Sequence, residues 1–193
     1  EIDIYFDLMK AFDKVPHKKL ITKIEAHGIK GTTKNWINSF LSDRRQRVVV
    51  NGETSEWEPV TSGVPQGSIL GPMLFILYIN DLPLVAKSNI VLFADDTKLY
   101  NQINSVADNQ VIQDDIDSMI AWSNRWDLKF HPDKCKAMKI GNKEDKFNYN
   151  INGKALDYTE EECDLGLTID NKLTFQTHIN NKINKANKIM GLI

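Results

Sequence analysis

The strongest constraint on the fold lies in residues 90–100, where an apolar run leads into two adjacent carboxylates and a second short apolar run follows. Runs of this length, separated by turn-forming residues, are typical of two strands joined by a tight turn. The stretch therefore predicts a β-hairpin with Asp95 and Asp96 at its tip. Asp is common in turns, so this hairpin alone fits an ordinary tip as well as a functional site.

A second acidic strand end lies at the start of the chain. Residues 2–7 (IDIYFD) alternate strictly between apolar and polar side chains, which predicts a half-buried strand that ends at Asp7. Asp3 shares the face of Asp7, and we expect it to be solvated. If this strand neighbours the hairpin, Asp7 and Asp95 meet at one edge of a sheet. Two charges ~4 Å apart repel by about 4 kcal/mol at an effective dielectric near 20, and a divalent cation such as Mg²⁺ relieves that repulsion.

The segment between the two acidic strand ends is unusual. Residues 61–72 (TSGVPQGSILGP) contain three Gly and two Pro, which excludes a regular element through most of them. Pro72 suits the first turn of a helix over 73–81. That helix is apolar nearly all round, which predicts that it is buried.

Other patterns complete a mixed arrangement of strands and helices. Hydrophobic residues with a 3.6 period predict one long amphipathic helix over 111–126, whose default role is to cover a sheet face. The remaining predictions are hairpins at Asn51-Gly52 and Asn152-Gly153, strands over 137–140 and 165–169, a polar loop over 141–146 and a helix from Phe175. Hairpins in place of regular βαβ repeats indicate an α+β fold.

Size, charge and cysteine usage limit the possible functions. With 193 residues, 41% of them hydrophobic, the chain can bury one sizeable core. A net charge of −2 means that nucleic acid binding depends on local patches. The two cysteines have no CxxC spacing, which indicates neither zinc nor a disulfide framework and suits a reducing compartment. The chain lacks an initiator Met and begins inside a predicted strand, so we expect a piece of a longer protein with no visible targeting sequence.

Three segments resemble, in order, the palm motifs of a reverse transcriptase. They are residues 7–13 (DLMKAFD), 62–72 (SGVPQGSILGP) and 93–96 (FADD). Residues 124–141 resemble the fourth motif of that family, and residues 163–167 resemble its primer-grip region. The pattern is typical of a non-LTR, LINE-type, jockey-like retrotransposon enzyme, and the resemblance covers essentially the whole chain.

The resemblance implies an α+β polymerase palm, with an antiparallel sheet packed on helices, partial fingers and the start of a thumb. Its segments would be 1–142 for the palm with partial fingers, 143–172 for a primer-grip-like hairpin region and 173–193 for the start of a thumb helix. The implied function is that of an RNA-directed DNA polymerase, a nucleotidyltransferase used in retrotransposition. The implied partners are an RNA template, a DNA primer and deoxynucleoside triphosphates, with no membrane, in the nucleus and cytoplasm.

The resemblance also assigns roles to acidic residues. Asp7 and Asp95 would be the main ligands of two Mg²⁺ ions, which Mn²⁺ could replace, and Asp96 would be a third, supporting carboxylate. Two such ions activate the attacking hydroxyl and stabilise the departing pyrophosphate. Asp13 is interpreted as a structural acid.

Further residues would contact the substrates. Backbone amides of Lys10 and Ala11 would hold the triphosphate, since free N–H groups bind anions. Phe12 would lie under the sugar and exclude a 2′-hydroxyl, although a core aromatic is the alternative. Lys134 would protonate the leaving pyrophosphate, although a solvated lysine is the alternative. The template platform would consist of Pro65, Gln66 and Gly67.

Two other functions compete with polymerisation. A palm-fold nucleotide cyclase also joins strand-end acids through Mg²⁺, but it has no use for the 61–72 segment or a primer grip. A truncated, inactive remnant that binds nucleic acid is the second alternative, and the intact acids oppose it. Because the family's preceding fingers strands and complete thumb are not recognised in the sequence, we expect this segment alone to be inactive or nearly so.

Overall fold

A computed structural model describes residues 1–141 and 147–191 of the chain. The helices are α1 (Ala11–Lys14), α2 (His17–Ala26), α3 (Gly31–Leu41), α4 (Leu70–Ile79), α5 (Val106–Trp126) and α6 (Gln176–Met190), with a 3₁₀ turn at Leu82–Val85. The strands are β1 (Ile2–Phe6), β2 (Arg45–Gln46), β3 (Val49–Val50), β4 (Glu53–Thr54), β5 (Glu58–Pro59), β6 (Asn89–Phe93), β7 (Asp96–Asn101), β8 (Lys136–Lys139), β9 (Asn150–Ile151), β10 (Lys154–Ala155), β11 (Asp157–Tyr158), β12 (Glu161–Asp164) and β13 (Leu167–Asp170).

The central element is a five-stranded sheet in the order β11-β8-β1-β7-β6. The pairs β1–β7, β1–β8 and β6–β7 are antiparallel, and β8–β11 is parallel. The strand predicted over residues 2–7 is therefore the middle strand, and it neighbours the 90–100 hairpin. This arrangement confirms the predicted α+β class with a mainly antiparallel sheet.

One face of the sheet belongs to the core. Ile2, Ile4 and Phe6 of β1 are buried, as their alternation predicts. The long helix α5 joins the same core, and its buried apolar side chains are Ile112, Ile116, Met119, Ile120 and Trp122. At the start of α5 the Ser105 amide donates to the Asp108 carboxylate at 2.8 Å, which caps the helix. The predicted amphipathic helix is confirmed and begins five residues earlier than its periodicity indicates.

Both Asn-Gly predictions are confirmed as two-residue turns. Asn51 and Gly52 join β3 to β4 with φ values of 51° and 88°, and Asn152 and Gly153 join β9 to β10 with 52° and 79°. Positive φ at both central residues matches the right-handed twist of the flanking strands. The strand predicted over 165–169 is wrong at its start, because Leu165 and Gly166 form the turn between β12 and β13.

The prediction that the helix after the 61–72 segment is buried is wrong in part. α4 begins at Leu70, and it buries Leu74, Phe75 and Tyr78. Met73 and Ile76 on the other side are 56% and 51% exposed. A helix that is apolar all round has no periodicity to show which side faces solvent, so only its packing partners decide it.

Lys23 connects α2, α4 and α5 inside the protein. Its ammonium donates to the Tyr78 carbonyl of α4 at 2.5 Å and to the Asp81 carboxylate just after that helix. Its Nζ lies 3.9 Å from the ring centroid of Trp126 and 4.6 Å from that of Trp122, both in α5. Burial lowers the pKa of Lys23, and the hydrogen bond to Asp81 opposes that shift. The carboxylate and the aromatic rings compensate the buried charge, which fixes the three helices relative to one another.

The C-terminal helix α6 has no buried residue within its described length. The predicted helix from Phe175 is therefore confirmed, with Phe175 immediately before it. The polar loop predicted over 141–146 falls, apart from Gly141, outside the described residues. In the described part of the chain, no helix combines the length and the hydropathy needed to cross a bilayer.

Candidate active site

Asp7 and Asp96 come together at one end of the central sheet and line the same cleft. β1 pairs with β7 from Ile2 opposite Asn101 to Phe6 opposite Thr97. One further step in this register puts Asp7 opposite Asp96. Directly opposed residues share a face of the sheet, with Cβ atoms about 5 Å apart.

Asp95 lies in the turn itself. Phe93 pairs with Asp96, so Ala94 and Asp95 are the two residues that connect β6 to β7. Ala94 has φ 52°, a left-handed conformation that a residue with a Cβ rarely adopts. Such strain of about 1–3 kcal/mol persists where the surroundings enforce it, commonly at functional sites. The turn fixes Asp95 next to Asp96, and the charge of Asp95 acts on that neighbour.

A cleft lies directly next to these acids. Its wall includes Asp7, Asp96, Lys134 and Asp164, while Asp95 occupies the adjoining turn. Burial raises the pKa of Asp96, and the negative charges of Asp95, Asp164 and Asp7 raise it further. The carboxylates therefore share one field, and a cation placed among them would relieve their repulsion.

This donor set suits a hard divalent cation. Lys134 Nζ already lies 3.5 Å from Asp7 Oδ2, which shows that this edge of the sheet attracts positive charge. Within residues 1–141 and 147–191, no group of three or more Asp, Glu, His or Cys side chains is arranged to hold a metal ion by itself. Mg²⁺ needs no such group, because it commonly takes one or two carboxylates and completes its shell with water and substrate phosphates.

The segment after α5 wraps around the end of β1 and places Lys134. The His131 amide donates to the Asp7 carbonyl at 2.8 Å, and Leu8 forms a β-bridge with Phe130. The Lys134 amide in turn donates to the His131 carbonyl at 3.0 Å. The backbone that carries Lys134 is thereby fixed to the backbone of Asp7.

The turn after Asp7 carries the residues predicted to bind a nucleotide. Lys10 has a left-handed φ of 49° and precedes α1, which begins at Ala11. The first amides of a helix have no acceptor within that helix. Phe12 is half-buried and stacks on Phe75, with ring centroids 4.5 Å apart and an interplanar angle of 21°. Phe12 is therefore held rigidly, with part of its surface exposed.

The predicted template platform is bound directly to this turn. The Gly63 amide donates to the Val15 carbonyl at 2.8 Å, and the Val64 amide donates to the Phe12 carbonyl at 2.7 Å. The Gln66 amide group donates to Asp13 Oδ1 at 3.1 Å. Asp13 thus has the structural role expected of it, and the platform and the Phe12 turn form one unit.

Gly63 allows this close approach. Its φ is +89°, and a Cβ added there would lie 2.8 Å from the Cα of Asp13, closer than real Cβ contacts. Only glycine both adopts this positive φ readily and leaves the space next to Asp13 free, so any other residue would require the backbone to shift. Pro65 and Gly67 continue the same loop, in which the Ser68 hydroxyl donates to the Pro65 carbonyl at 2.7 Å.

Two groups that support the site are not among the predicted site residues. Arg44 donates to the Gly63 carbonyl at 2.7 Å and to the Leu41 carbonyl at 3.2 Å, so its guanidinium braces the platform. Lys98 and Asp164 form a hydrogen-bonded ion pair at 2.9 Å beside the cleft. Asp164 lies 69 positions after Asp95 in the sequence, so no local pattern links it to the acidic hairpin.

The expectation that Asp3 is solvated is wrong. Asp3 is 3% exposed, Tyr5 donates to its carboxylate at 3.2 Å, and Lys98 Nζ lies 4.0 Å away. Its Oδ1 has no hydrogen-bond partner among the described residues. The β12–β13 hairpin lies over this face, since Lys98 also contacts Asp164. Burial raises the pKa of Asp3 to about 6, although the charge of Lys98 opposes the shift.

We expect Asp3 to make stability depend on pH. The raised pKa means that the folded state holds a proton that the unfolded state releases near pH 3.8. Its stabilising contribution is complete below that pH and is lost as pH rises to about 6, a difference of roughly 3 kcal/mol. Asp3→Asn should remove this slope from the free energy of unfolding, measured by urea titration between pH 4 and 8. The exposed Asp114→Asn is the control, and an unchanged slope in Asp3→Asn would contradict the assignment.

Comparisons with known proteins agree with this architecture. Residues 2–169 match the family described as reverse transcriptase (RNA-dependent DNA polymerase). The chain is 30% identical over 190 residues to the RNA-directed DNA polymerase from mobile element jockey of Drosophila melanogaster, covering 93% of this chain and 21% of that protein. It is 31% identical over 197 residues to the probable RNA-directed DNA polymerase from transposon BS of the same fly, covering 91% of this chain and 21% of that protein.

The fold has a counterpart among solved structures. An apo telomerase from Candida tropicalis, truncated from its C-terminal domain, superposes with a TM-score of 0.59 at 16% identity, over 91% of this chain and 34% of that one. This likeness confirms the expected palm-type fold. The chain spans about a fifth of the length of the curated relatives it matches. The motifs, the family match and the jockey-like relatives agree: this chain belongs to the reverse transcriptase family.

Proposed function

We propose that this chain contains the palm of an RNA-directed DNA polymerase used in retrotransposition. The observation that carries the proposal is that Asp7, directly after β1, and Asp96, the first residue of the paired strand β7, line one cleft, with Asp95 in the adjoining turn. In the proposed reaction the primer 3′-hydroxyl attacks the α-phosphorus of a deoxynucleoside triphosphate bound opposite an RNA template. A new oxygen–phosphorus bond forms, the bond to the β-phosphate oxygen breaks, and pyrophosphate leaves.

Asp7, Asp95 and Asp96 would hold two Mg²⁺ ions, which Mn²⁺ could replace. The bound ions would lower the pKa of the attacking hydroxyl and stabilise charge on the leaving pyrophosphate. Asp7 and Asp95 are proposed as the main ligands and Asp96 as the supporting one. Burial and the neighbouring acids raise the pKa of Asp96, so a negative charge on this carboxylate is unfavourable unless a cation compensates it. A metal ion shared with the other acids would supply that compensation.

The turn after Asp7 would bind the nucleotide. Amides of Lys10 and Ala11 would donate to the triphosphate at the start of α1. The Phe12 ring would pack against the sugar and leave no room for a 2′-hydroxyl. Its stacking on Phe75 supports this role, since a gate must resist displacement by the larger nucleotide.

Lys134 would protonate the leaving pyrophosphate. Its side chain is exposed and Nζ lies 3.5 Å from Asp7 Oδ2, so the ammonium is close to the proposed reaction centre. Departure of a charged pyrophosphate oxygen is easier when an acid supplies a proton in the transition state. A solvated lysine that did not lie next to Asp7 would be too far from the proposed reaction centre to transfer this proton.

Pro65, Gln66 and Gly67 would support the template and the nascent base pair. The hydrogen bonds from this loop to the Phe12 turn tie the platform to the nucleotide site. A nucleotide cyclase has no template to support, so this connection favours polymerisation over cyclisation.

The remaining segments would complete the path of the nucleic acid. Residues 1–142 would be the palm with partial fingers, 143–172 the primer-grip-like region and 173–193 the start of the thumb. Residues 171–193, at the boundary with the thumb and within it, contain Lys172, Lys182, Lys185 and Lys188 and no acid. This local positive charge would contact duplex phosphates. Such a polymerase would act inside the cell, in the nucleus and cytoplasm.

Primer extension tests the proposal. A DNA primer annealed to an RNA template should be extended in the presence of deoxynucleotides and Mg²⁺ by a polypeptide that contains this chain at the length of its relatives. The 193-residue chain alone should show little or no extension. Absence of template-dependent extension by the longer polypeptide, together with conversion of ATP to a cyclic nucleotide, would replace the polymerase with the cyclase.

A further inference from the structure

The β12–β13 hairpin is not part of the central sheet. In the described chain its two strands form a separate two-stranded sheet, and the hairpin lies over the face that carries Tyr5 and Asp7. The base of the hairpin is held by backbone hydrogen bonds, from the Thr159 amide to the Ala137 carbonyl at 2.9 Å and from the Gly141 amide to the Asn171 carbonyl at 3.2 Å. Nearer its turn, side chains and not ladder hydrogen bonds determine how far the hairpin stands from the sheet. The cleft beside the acids lies in this gap.

Two lysines on one rung of the sheet reach the hairpin. Tyr5 of β1 pairs with Lys98 on one side and with Lys136 on the other, so both lysines share its face. Lys98 Nζ lies 2.9 Å from Asp164 Oδ2, and Lys136 Nζ lies 3.4 Å from Glu162 Oε2. The two acids are two residues apart in β12 and therefore point to the same side. Two ion pairs thus join the hairpin to the sheet.

Lys98 is the more deeply placed of the two lysines. Its side chain is 24% exposed and lies between Asp164 and the buried Asp3, whose Oδ2 is 4.0 Å from Nζ. With a carboxylate on either side of its ammonium group, the side chain of Lys98 has little freedom to move.

We propose that Lys98, assisted by Lys136, is a positioning residue that sets the β12–β13 hairpin, and through it the 3′ end of the primer, at a fixed height above the carboxylates. Lys98 lies two residues after Asp96 in β7, so the hairpin is attached to the same strand that carries the acid. The turn at Leu165 and Gly166 directly follows Asp164. Fixing Asp164 therefore fixes the turn at the mouth of the cleft. The role in holding the primer rests on the proposed polymerase function, whereas the attachment of the hairpin does not.

Kinetics of primer extension test the effect on the primer. Lys98→Met, Asp164→Asn and Glu162→Gln should each raise KM for primer–template by about tenfold, because a hairpin that can move away from the sheet holds the primer less tightly. KM for the deoxynucleotide should stay within about twofold, since its proposed site is on the Phe12 turn. Lys98→Arg should retain activity, and the exposed Lys30→Met is the control. Asp164→Asn and Glu162→Gln change only the hairpin and leave the Asp3–Lys98 pair intact. These two variants therefore remain informative if Lys98→Met does not fold.

A charge exchange separates positioning from general damage. Lys136→Glu and Glu162→Lys should each raise KM for primer–template, and the double variant should restore most of it. Exchanging Lys136 and Glu162 leaves the buried Asp3 and its neighbour Lys98 unchanged. A double variant no better than the single ones would overturn the proposal.

A distance measurement tests the attachment without any activity. Cys163 is exposed on the hairpin, whereas Cys135 is buried with its thiol pKa raised to about 11, so a spin label attaches selectively to Cys163. A second label at Val91→Cys on β6 reports the separation of hairpin and sheet. The distribution should be narrow in the wild type and Lys98→Arg, and broad in Lys98→Met and Asp164→Asn. An unchanged distribution in both would overturn the proposal, whereas failure of primer extension by the longer wild-type polypeptide would overturn only the polymerase function.

Discussion

Replacing Asp95 by Asn should reduce nucleotide addition by about 10³-fold or more, because several kcal/mol of transition-state stabilisation depend on the ions that the carboxylate holds. Asn has nearly the same size and retains a carbonyl oxygen, so the variant removes charge with little change in packing. Asp95 occupies a two-residue turn whose backbone is set by the strands on either side. The fold should therefore survive, and the effect should appear in kcat for primer extension on an RNA template.

Two further variants make this result specific. Asp96→Asn should cost less than Asp95→Asn if Asp96 is the supporting ligand, although the register places Asp96 opposite Asp7. Asp114→Asn, on the exposed side of α5, should leave activity unchanged. Equal activity in Asp95→Asn and the wild type would refute the two-metal assignment. A larger loss in Asp96→Asn than in Asp95→Asn would reverse the order of the two ligands.

Replacing Phe12 by Ala should raise incorporation of ribonucleotides relative to deoxynucleotides by about 100-fold. Overpacking a rigid site costs roughly 1–3 kcal/mol, and the upper end of that range corresponds to this factor. Phe12 can exert such a penalty because its ring is stacked on Phe75 and cannot move aside without losing that contact. The measurement is the ratio of kcat/KM for each ribonucleotide and its deoxy counterpart in single-nucleotide extension.

The controls for Phe12 separate a gate from a core aromatic. Phe12→Tyr keeps the ring and should keep the discrimination. Phe75→Leu removes the supporting stack and should weaken discrimination by a smaller factor. Because Phe12 is half-buried, the free energy of unfolding of each variant is measured in parallel. Lower stability with unchanged sugar discrimination would assign Phe12 to the core alone.

Local patterns predicted many elements correctly for identifiable reasons. Each Asn-Gly pair specified a two-residue turn because both positions require positive φ, which Asn and Gly tolerate best. The alternation of residues 2–7 specified which side of β1 is apolar. The same alternation could not show that its polar side is also covered, and this is why Asp3 was wrongly expected to be solvated.

Errors arose where a distant segment decides the environment. The sides of α4 differ in exposure although the sequence is apolar on both, because the partners of the helix come from elsewhere in the chain. The start of β13 was misplaced because Leu165 fits a strand by composition, while Gly166 makes the turn. Composition does not reveal such a pairing register.

The sequence by itself determined the acidic strand ends, the Gly- and Pro-rich platform and the family resemblance, because strand periodicity, turn chemistry and motif order are local properties. Only the tertiary structure decided that Asp7 and Asp96 line one cleft, that Gly63 packs against Asp13, and that Lys98 joins β7 to Asp164. These contacts join residues far apart in sequence. They depend on strand register and on the burial of charge, and both are fixed only when the whole sheet and the hairpin above it have assembled.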